Sequence, residues 1–335
     1  MTEKANTHVD LIDLDADGQL LYPGSRTVVP REAIPGFLES HLRLREGTTD
    51  IFLHVHGWRT SPTDAEDKAH RLFGLVDLMM AQQAHAYPRI RGFRPQYVGV
   101  RWPSADKRLP LDYYAVRDRT EAMSESGQVA RVLGAVLGYF NTHRDLPESG
   151  PDVLAGAYGQ YLHCVGHSFG SRFLLHGILE ATARLAEGGP NTLAWNWPDP
   201  SYPWSLDSLT LFQAALPADS FAHPPYAGVL APSVLNAPVV MTYSPSDTAL
   251  GFYHRRSEKQ DGIGHRGATA PAEHIARMHL QDIGTAYKFT RDKRLINVDA
   301  SHLYVKGMHI AGGAHSDFYH PESAHLLLSL ADAAR

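Results

Sequence analysis

Apolar, β-rich runs recur along the chain at Val9–Leu14, Gln19–Tyr22, Asp50–His56, Gln96–Trp102, Gln160–Val165, Ser208–Ala214, Pro238–Tyr243 and Arg294–Val298, and each reads as a strand. The first two flank Asp15-Ala-Asp-Gly18, a hairpin turn signal, which makes residues 9–22 an N-terminal hairpin. Between most of the others lie longer segments with helical spacing: Asp64–Gln83, Leu111–Tyr139, Phe169–Ala186 and Ala272–Ala286, with Glu322–Ala334 as a closing helix. In Phe169–Ala186 the residues Phe173, Leu174, Ile178 and Leu185 fall near one face. A hairpin followed by alternating strands and helices predicts an α/β fold, with a mostly parallel sheet, an antiparallel edge and helices on both faces. Residues 1–335 are expected to form one domain. Two stretches break the alternation, Glu187–Ser205 with three tryptophans and four prolines, and Phe252–Lys293, a long polar excursion. Loops of that length in a compact domain tend to serve function, so both are expected as lid-like insertions.

Composition narrows the function classes. The 335 residues are 43% hydrophobic and 20% charged, in the range of ordinary globular chains, with a net charge of −5 that offers no footprint for nucleic acid. The 20 histidines make that charge sensitive to mild acid. A single cysteine, Cys164, excludes an intramolecular disulfide and argues against a thiolate metal cage; in its apolar run it reads as a buried, inert thiol. No basic-then-apolar leader opens the sequence, and no segment approaches the roughly 18 uninterrupted apolar residues of a membrane span, so no membrane association and a cytoplasmic location are expected.

The candidate chemistry centres on Gly166-His-Ser-Phe-Gly170, between an apolar strand and a helix-like run. G-x-S-x-G is the pattern of a turn too tight for side chains on either side, which exposes a serine at the tip of a strand. Ser168 is therefore the candidate nucleophile. The strand at Ile51 ends in His56-Gly57-Trp58, and an N–H from such a loop can face a developing oxyanion. The backbone N–H groups of Trp58 and Phe169 are assigned to that hole, with Arg59 as the alternative to Trp58. His54 and His56, two apart, also permit a metallohydrolase reading, although no further ligands stand at recognisable spacing. For the base, His315 follows the last strand on a glycine-bearing loop; His320, His309 and His302 compete less well, His320 because His-Pro reads as a helix start. For the acid, Asp247 follows the strand at Pro238–Tyr243, and Asp219, one strand earlier, is the alternative. Serine, acid and histidine then occur in the chain order of one class of triad.

Those residues resemble the α/β-hydrolase superfamily, and within it a branch with an HG-aromatic strand end, W-P-S after the next strand, H-S-x-G and a late H-S segment. Here these are His56-Gly57-Trp58, Trp102-Pro103-Ser104, Gly166 to Gly170 and His315-Ser316. The resemblance covers about residue 50 to the C-terminus. It implies the superfamily's fold and a serine nucleophile but no substrate. The residues themselves point to a serine hydrolase acting on a small-molecule acyl substrate without a cofactor or metal; a carboxylic ester is the default because it demands least of the leaving group, with thioester, amide and lactone cleavage open. Trp195, Trp197 and Tyr114 are candidate substrate-binding residues; Tyr113 and Tyr114 could each contact substrate, with packing as the default for both. An acyltransferase or thioesterase on the same triad, a non-catalytic ligand-binding protein on this scaffold, and the His54/His56 metallohydrolase stand as alternatives. The Asp13–Gly18 run opens like a calcium loop, but Gly24 occupies the position of the bidentate glutamate, so a hairpin turn is expected. His254-Arg255-Arg256 reads as a solvated loop, with binding of an anionic substrate group as the alternative.

Overall fold

A computed structural model describes residues 7–105, 112–125, 127–143, 160–186, 206–232, 234–290, 292–306 and 312–335. Nine strands form one sheet: β1 (Val9–Leu14), β2 (Leu20–Leu21), β3 (Asp50–Val55), β4 (Pro95–Arg101), β5 (Tyr161–His167), β6 (Ser208–Phe212), β7 (Val239–Tyr243), β8 (Ile275–His279) and β9 (Leu295–Asp299). Their order is β2-β1-β4-β3-β5-β6-β7-β9-β8; among these described strands the β1–β2 pair is antiparallel and the other pairs are parallel. The helices are α1 (Ile34–His41), α2 (Pro62–Gln83), α3 (Asp112–Glu125), α4 (Gln128–His143), α5 (Phe169–Ala186), α6 (His254–Glu258), α7 (Ile263–Arg266) and α8 (Pro321–Ala333). Among the described residues no helix is long and apolar enough to cross a membrane.

The sheet is covered on both faces, which is why its central strands are apolar throughout rather than alternating. All six residues of β3 are buried; Ile51, Leu53 and Val55 join one core layer and Phe52 the other. The first layer includes Phe173, Leu174 and Ile178 of α5 with Leu133, Val136 and Phe140 of α4. The second includes Leu72, Phe73 and Val76 of α2 with Leu326, Leu327 and Leu330 of α8. Helix α2 starts two residues before the expected Asp64, because Ser61 accepts from the Asp64 N–H, Asp64 accepts from the Ser61 N–H, and Pro62 takes the first turn. At this coarse level the architecture is consistent with an α/β-hydrolase-like fold.

Strand order reverses around β3, which pairs with β4 on one side and β5 on the other. In open α/β sheets the crevice beyond the carboxyl ends of the strands at such a reversal is the usual ligand position. The turns that follow β3 and β5 are His56-Gly57-Trp58 and Ser168.

Two expected helices take another form. The expected helix Leu111–Tyr139 is two helices, because Gly127, at φ 70°, takes the left-handed conformation that ends α3. The expected helix Ala272–Ala286 is instead a short 3-10 turn and strand β8, paired in register with β9. As an edge strand its residues are all half-buried or exposed, so the alternation that marks a strand is faint. The excursion 252–293 therefore supplies an edge of the sheet as well as α6 and α7. The insertion 187–205 lies outside the described residues.

At the opposite end of the sheet a charge is buried. Asp50 accepts from His163 Nε2–H at 3.0 Å and from the Arg335 guanidinium, which lies 3.9 Å from the Tyr161 ring centroid. Burial alone would raise the Asp50 pKa, but Arg335 and His163 together outweigh it and hold the group at about 2. Arg335 thereby fastens the end of α8 to the start of β3. Arg335→Met should strand this carboxylate and destabilise the fold by about 3–5 kcal/mol. Asp50→Asn in the same chain should recover part of the loss; chemical denaturation of both variants checks this, and additive losses would contradict it.

Candidate active site

β5 delivers the chain to Ser168 with φ 55°, a left-handed backbone that few non-glycine residues adopt, and α5 begins at the next residue. The turn is gripped by the end of β6. Ser168 N–H donates to the Phe212 carbonyl at 3.2 Å, and Ala215 N–H donates to the Ser168 carbonyl at 3.2 Å. The flanking glycines are demanded by contact. A Cβ on Gly170 would lie 2.3 Å from the Val55 carbonyl oxygen, and one on Gly166 would lie 2.8 Å from Ser171 Cα. A Cβ on Gly57 would lie 2.5 Å from Ser168 Cβ, so the turn after β3 is pressed directly on the serine.

Ser168 Oγ–H donates to His315 Nε2 at 2.7 Å, and His315 Nδ1–H donates to Asp247 Oδ2 at 2.8 Å. All three side chains are buried. The second Asp247 oxygen accepts from the Leu250 N–H at 3.0 Å, which fixes the carboxylate plane. The histidine loop is tied to the acid loop by Ala314 N–H donating to the Ser246 carbonyl at 2.9 Å. His167 Nε2–H donates to the His315 carbonyl at 2.8 Å, and the two rings lie 5.1 Å apart. Asp219 stands apart from this group; its half-exposed side chain faces His223 at 3.7 Å. His320 caps the start of α8 and bonds Asp317, His302 is exposed, and His309 lies outside the described residues.

The chain matches no protein-family model and no curated protein.

The W-P-S segment after β4 braces the turn after β3. Trp102 N–H donates to His56 Nε2 at 3.1 Å, Trp102 Nε1–H donates to the His56 carbonyl at 2.7 Å, and His56 Nδ1–H donates to the Gly57 carbonyl at 2.9 Å. Ser104 accepts the Arg59 N–H on its carbonyl at 3.0 Å and the Thr60 N–H on its hydroxyl at 3.1 Å. The Arg59 amide is thus occupied, whereas the Trp58 and Phe169 N–H groups make no hydrogen bond among the described residues. Both His56 nitrogens are likewise engaged by the protein. His54 packs against Phe73 and His56 stacks on Trp102, in opposite core layers, because the strand ends at Val55. Two such rings do not converge on a common ion. Among the described residues no group of three or more His, Cys, Asp or Glu is placed to hold one.

An aromatic wall adjoins His315. Trp58 lies 6.3 Å from its ring, Tyr113 lies edge-on to Trp58 at 5.2 Å, and Phe169 and Tyr253 flank Tyr113. Tyr113 is a fully buried part of this wall, and Tyr114 sits half-buried behind it. Trp195 and Trp197 lie outside the described residues. His254 corrects the expectation of a solvated loop: it is buried in α6 and hydrogen-bonded to the Tyr113 hydroxyl at 3.1 Å. Position 254 sits in a polar stretch, and only the tertiary fold turns that residue inward. Gln213, left aside by the pattern reading, is also buried here, against Asp247.

His54 and His56 are each held to a pKa of about 3, burial being the main cause; for His56 the bond to Gly57 offsets it only in part. Both are neutral in the folded state, while the unfolded chain takes up protons near the ordinary 6.5. Their contribution to stability is therefore complete above that value and falls away as pH drops toward 3. Unfolding free energy measured in urea should decline steeply between those limits. His54→Leu, which removes a buried Nε2 without a partner, should make the decline shallower by about one proton. An unchanged slope would contradict this account.

Proposed function

We propose that the chain is a serine hydrolase that cleaves a carboxylic ester, or a related acyl bond, through Ser168, His315 and Asp247. One observation carries the reading. A buried serine held at positive φ on a strand tip donates to a histidine that donates in turn to a buried carboxylate, at 2.7 and 2.8 Å. A structural serine has no need of that sequence of partners, and the left-handed backbone has a cost that only a requirement for this position explains.

In the first step His315 Nε2 takes the Ser168 proton as Oγ bonds to the carbonyl carbon, and the carbonyl π electrons move onto oxygen. The Trp58 and Phe169 amides, which meet no other acceptor among the described residues, hold that oxyanion, aided by the positive end of α5. The tetrahedral adduct collapses as the imidazolium gives its proton to the leaving alkoxide. Water, deprotonated by His315, then attacks the acyl-serine; the second tetrahedral adduct expels Ser168 Oγ, which takes the proton back from His315, and the acid leaves. Asp247 holds the Nδ1–H tautomer throughout and offsets the charge of the imidazolium. The W-P-S and HG-aromatic segments serve this chemistry by bracing the turn that carries Trp58.

Ser168→Ala should abolish hydrolysis of p-nitrophenyl acetate while leaving the melting temperature near that of the parent, because the three groups act as a unit. Asp247→Asn should lower kcat by about 10³–10⁴-fold by favouring the wrong imidazole tautomer, whereas Asp219→Asn should leave it nearly unchanged. Residual turnover in folded Ser168→Ala, or a larger loss at Asp219 than at Asp247, would overturn the assignment.

A further inference from the structure

The geometry points to Gln213 as a positioning residue that couples all three members of the proposed triad, a reading that rests on the serine hydrolase assignment above. Gln213 follows β6, is fully buried, and holds φ 44°, outside the usual region for its residue type. Its neighbours along the chain grip the elbow: Phe212 accepts the Ser168 N–H, and Ala215 donates to the Ser168 carbonyl. Its own N–H reaches Thr242 Oγ1 at 3.3 Å, next to the end of β7. From that fixed backbone the side-chain amide extends to the other two groups. Nε2 donates to Asp247 Oδ2 at 3.3 Å and to the Ala314 carbonyl, one residue before His315, at 2.8 Å.

Both of those partners are acceptors only, so the amide must turn its NH2 toward them, and Oε1 is left buried with no partner among the described residues. A buried unsatisfied oxygen and a left-handed glutamine are both costly; together they mark a position held for its geometry. The oxygen that Gln213 meets is the one that accepts from His315, so one donor group fixes the acid's orientation and the height of the histidine loop at once. A carboxylate in its place would face Asp247 Oδ2 and a carbonyl with like charge. Glutamine is the side chain of this length that donates to both while staying neutral.

The test compares Gln213→Leu and the isosteric Gln213→Glu with the parent in p-nitrophenyl acetate hydrolysis across pH, alongside thermal melting. His167, His254, His265 and Tyr113 face Asp247 or His315 from their own elements and stay in place in both variants. Gln213→Leu should lower kcat by about 10- to 100-fold, with KM changed little, since misplacement by a fraction of an ångström to an ångström is enough. Gln213→Glu adds negative charge beside the pair, which favours the protonated imidazole. It should move the acid limb of the kcat/KM profile up by about one pH unit. A lowered melting temperature with kcat and the acid limb both unmoved would reduce Gln213 to a brace and overturn the proposal, as would failure of both variants to fold. If the parent is inactive, or Ser168→Ala is as active as the parent, the hydrolase reading fails and this inference fails with it. Activity lost in Ser168→Ala but insensitive to residue 213 rejects the inference alone.

Discussion

The site depends on how closely three strand ends approach one another. The turn after β3 lies against the elbow after β5 with no room for a Cβ at Gly57 or Gly170, and the end of β6 closes on the same turn through two backbone hydrogen bonds. Ser168 adopts the left-handed region where this approach is closest, at the sheet end where strand order reverses, and its hydroxyl meets His315. A parallel sheet makes this possible because its strands all end on one side. The apolar layers on both faces hold those ends at fixed spacing, so the strain at Ser168 and Gln213 is supported by the packing of β3, β5 and β6.

Around this contact paired polar groups stand beside unpaired ones: His54 Nε2, Trp58 Nε1, Ser171 Oγ, Gln213 Oε1 and His254 Nε2 have no partner among the described residues. His56 is a wedge between the HG-aromatic turn and W-P-S, with both nitrogens in use. His167 holds the histidine loop from beneath, and burial keeps its imidazole neutral. Neutral histidines here carry a consequence for stability, since each must stay deprotonated for the core to close. The anionic group among them, Asp247, is met by the Leu250 N–H, by His315 and by Gln213, while Asp50 at the far end of the sheet is balanced by Arg335 and His163. The two carboxylates occupy opposite ends of the sheet and have different partners: one faces the His315 ring, the other a permanent cation.

Much of this was legible in the sequence because local pattern and tertiary role coincide. Strand β1 was readable to the residue, and β3 to β7 and β9 to within one or two, since apolar runs bounded by turn residues leave little choice. Ser168 was legible because two glycines at fixed spacing report a steric requirement, and Asp247 and His315 because each follows a strand in the matching order. Strand β8 was not, because an edge strand with one neighbour keeps no clear alternation. The break at Gly127 hid inside a continuous helical period. His254 and Gln213 were invisible for a different reason: their inward orientation arises where α6 and the end of β6 meet Asp247 and Tyr113, and no local spacing encodes that meeting. W-P-S could be noticed as a motif, yet its work as a brace for His56 and Arg59 emerges only from the hydrogen bonds across β3 and β4.

The central claim is that Ser168 is an activated nucleophile and not a buried turn residue. The most direct measurement is reaction of the parent chain with a fluorophosphonate probe, followed by peptide mapping with mass spectrometry. The account predicts a single stoichiometric adduct on the peptide containing Ser168, abolished by prior denaturation, which destroys the hydrogen bond to His315. No adduct on the folded protein, or an adduct at another serine, would contradict it.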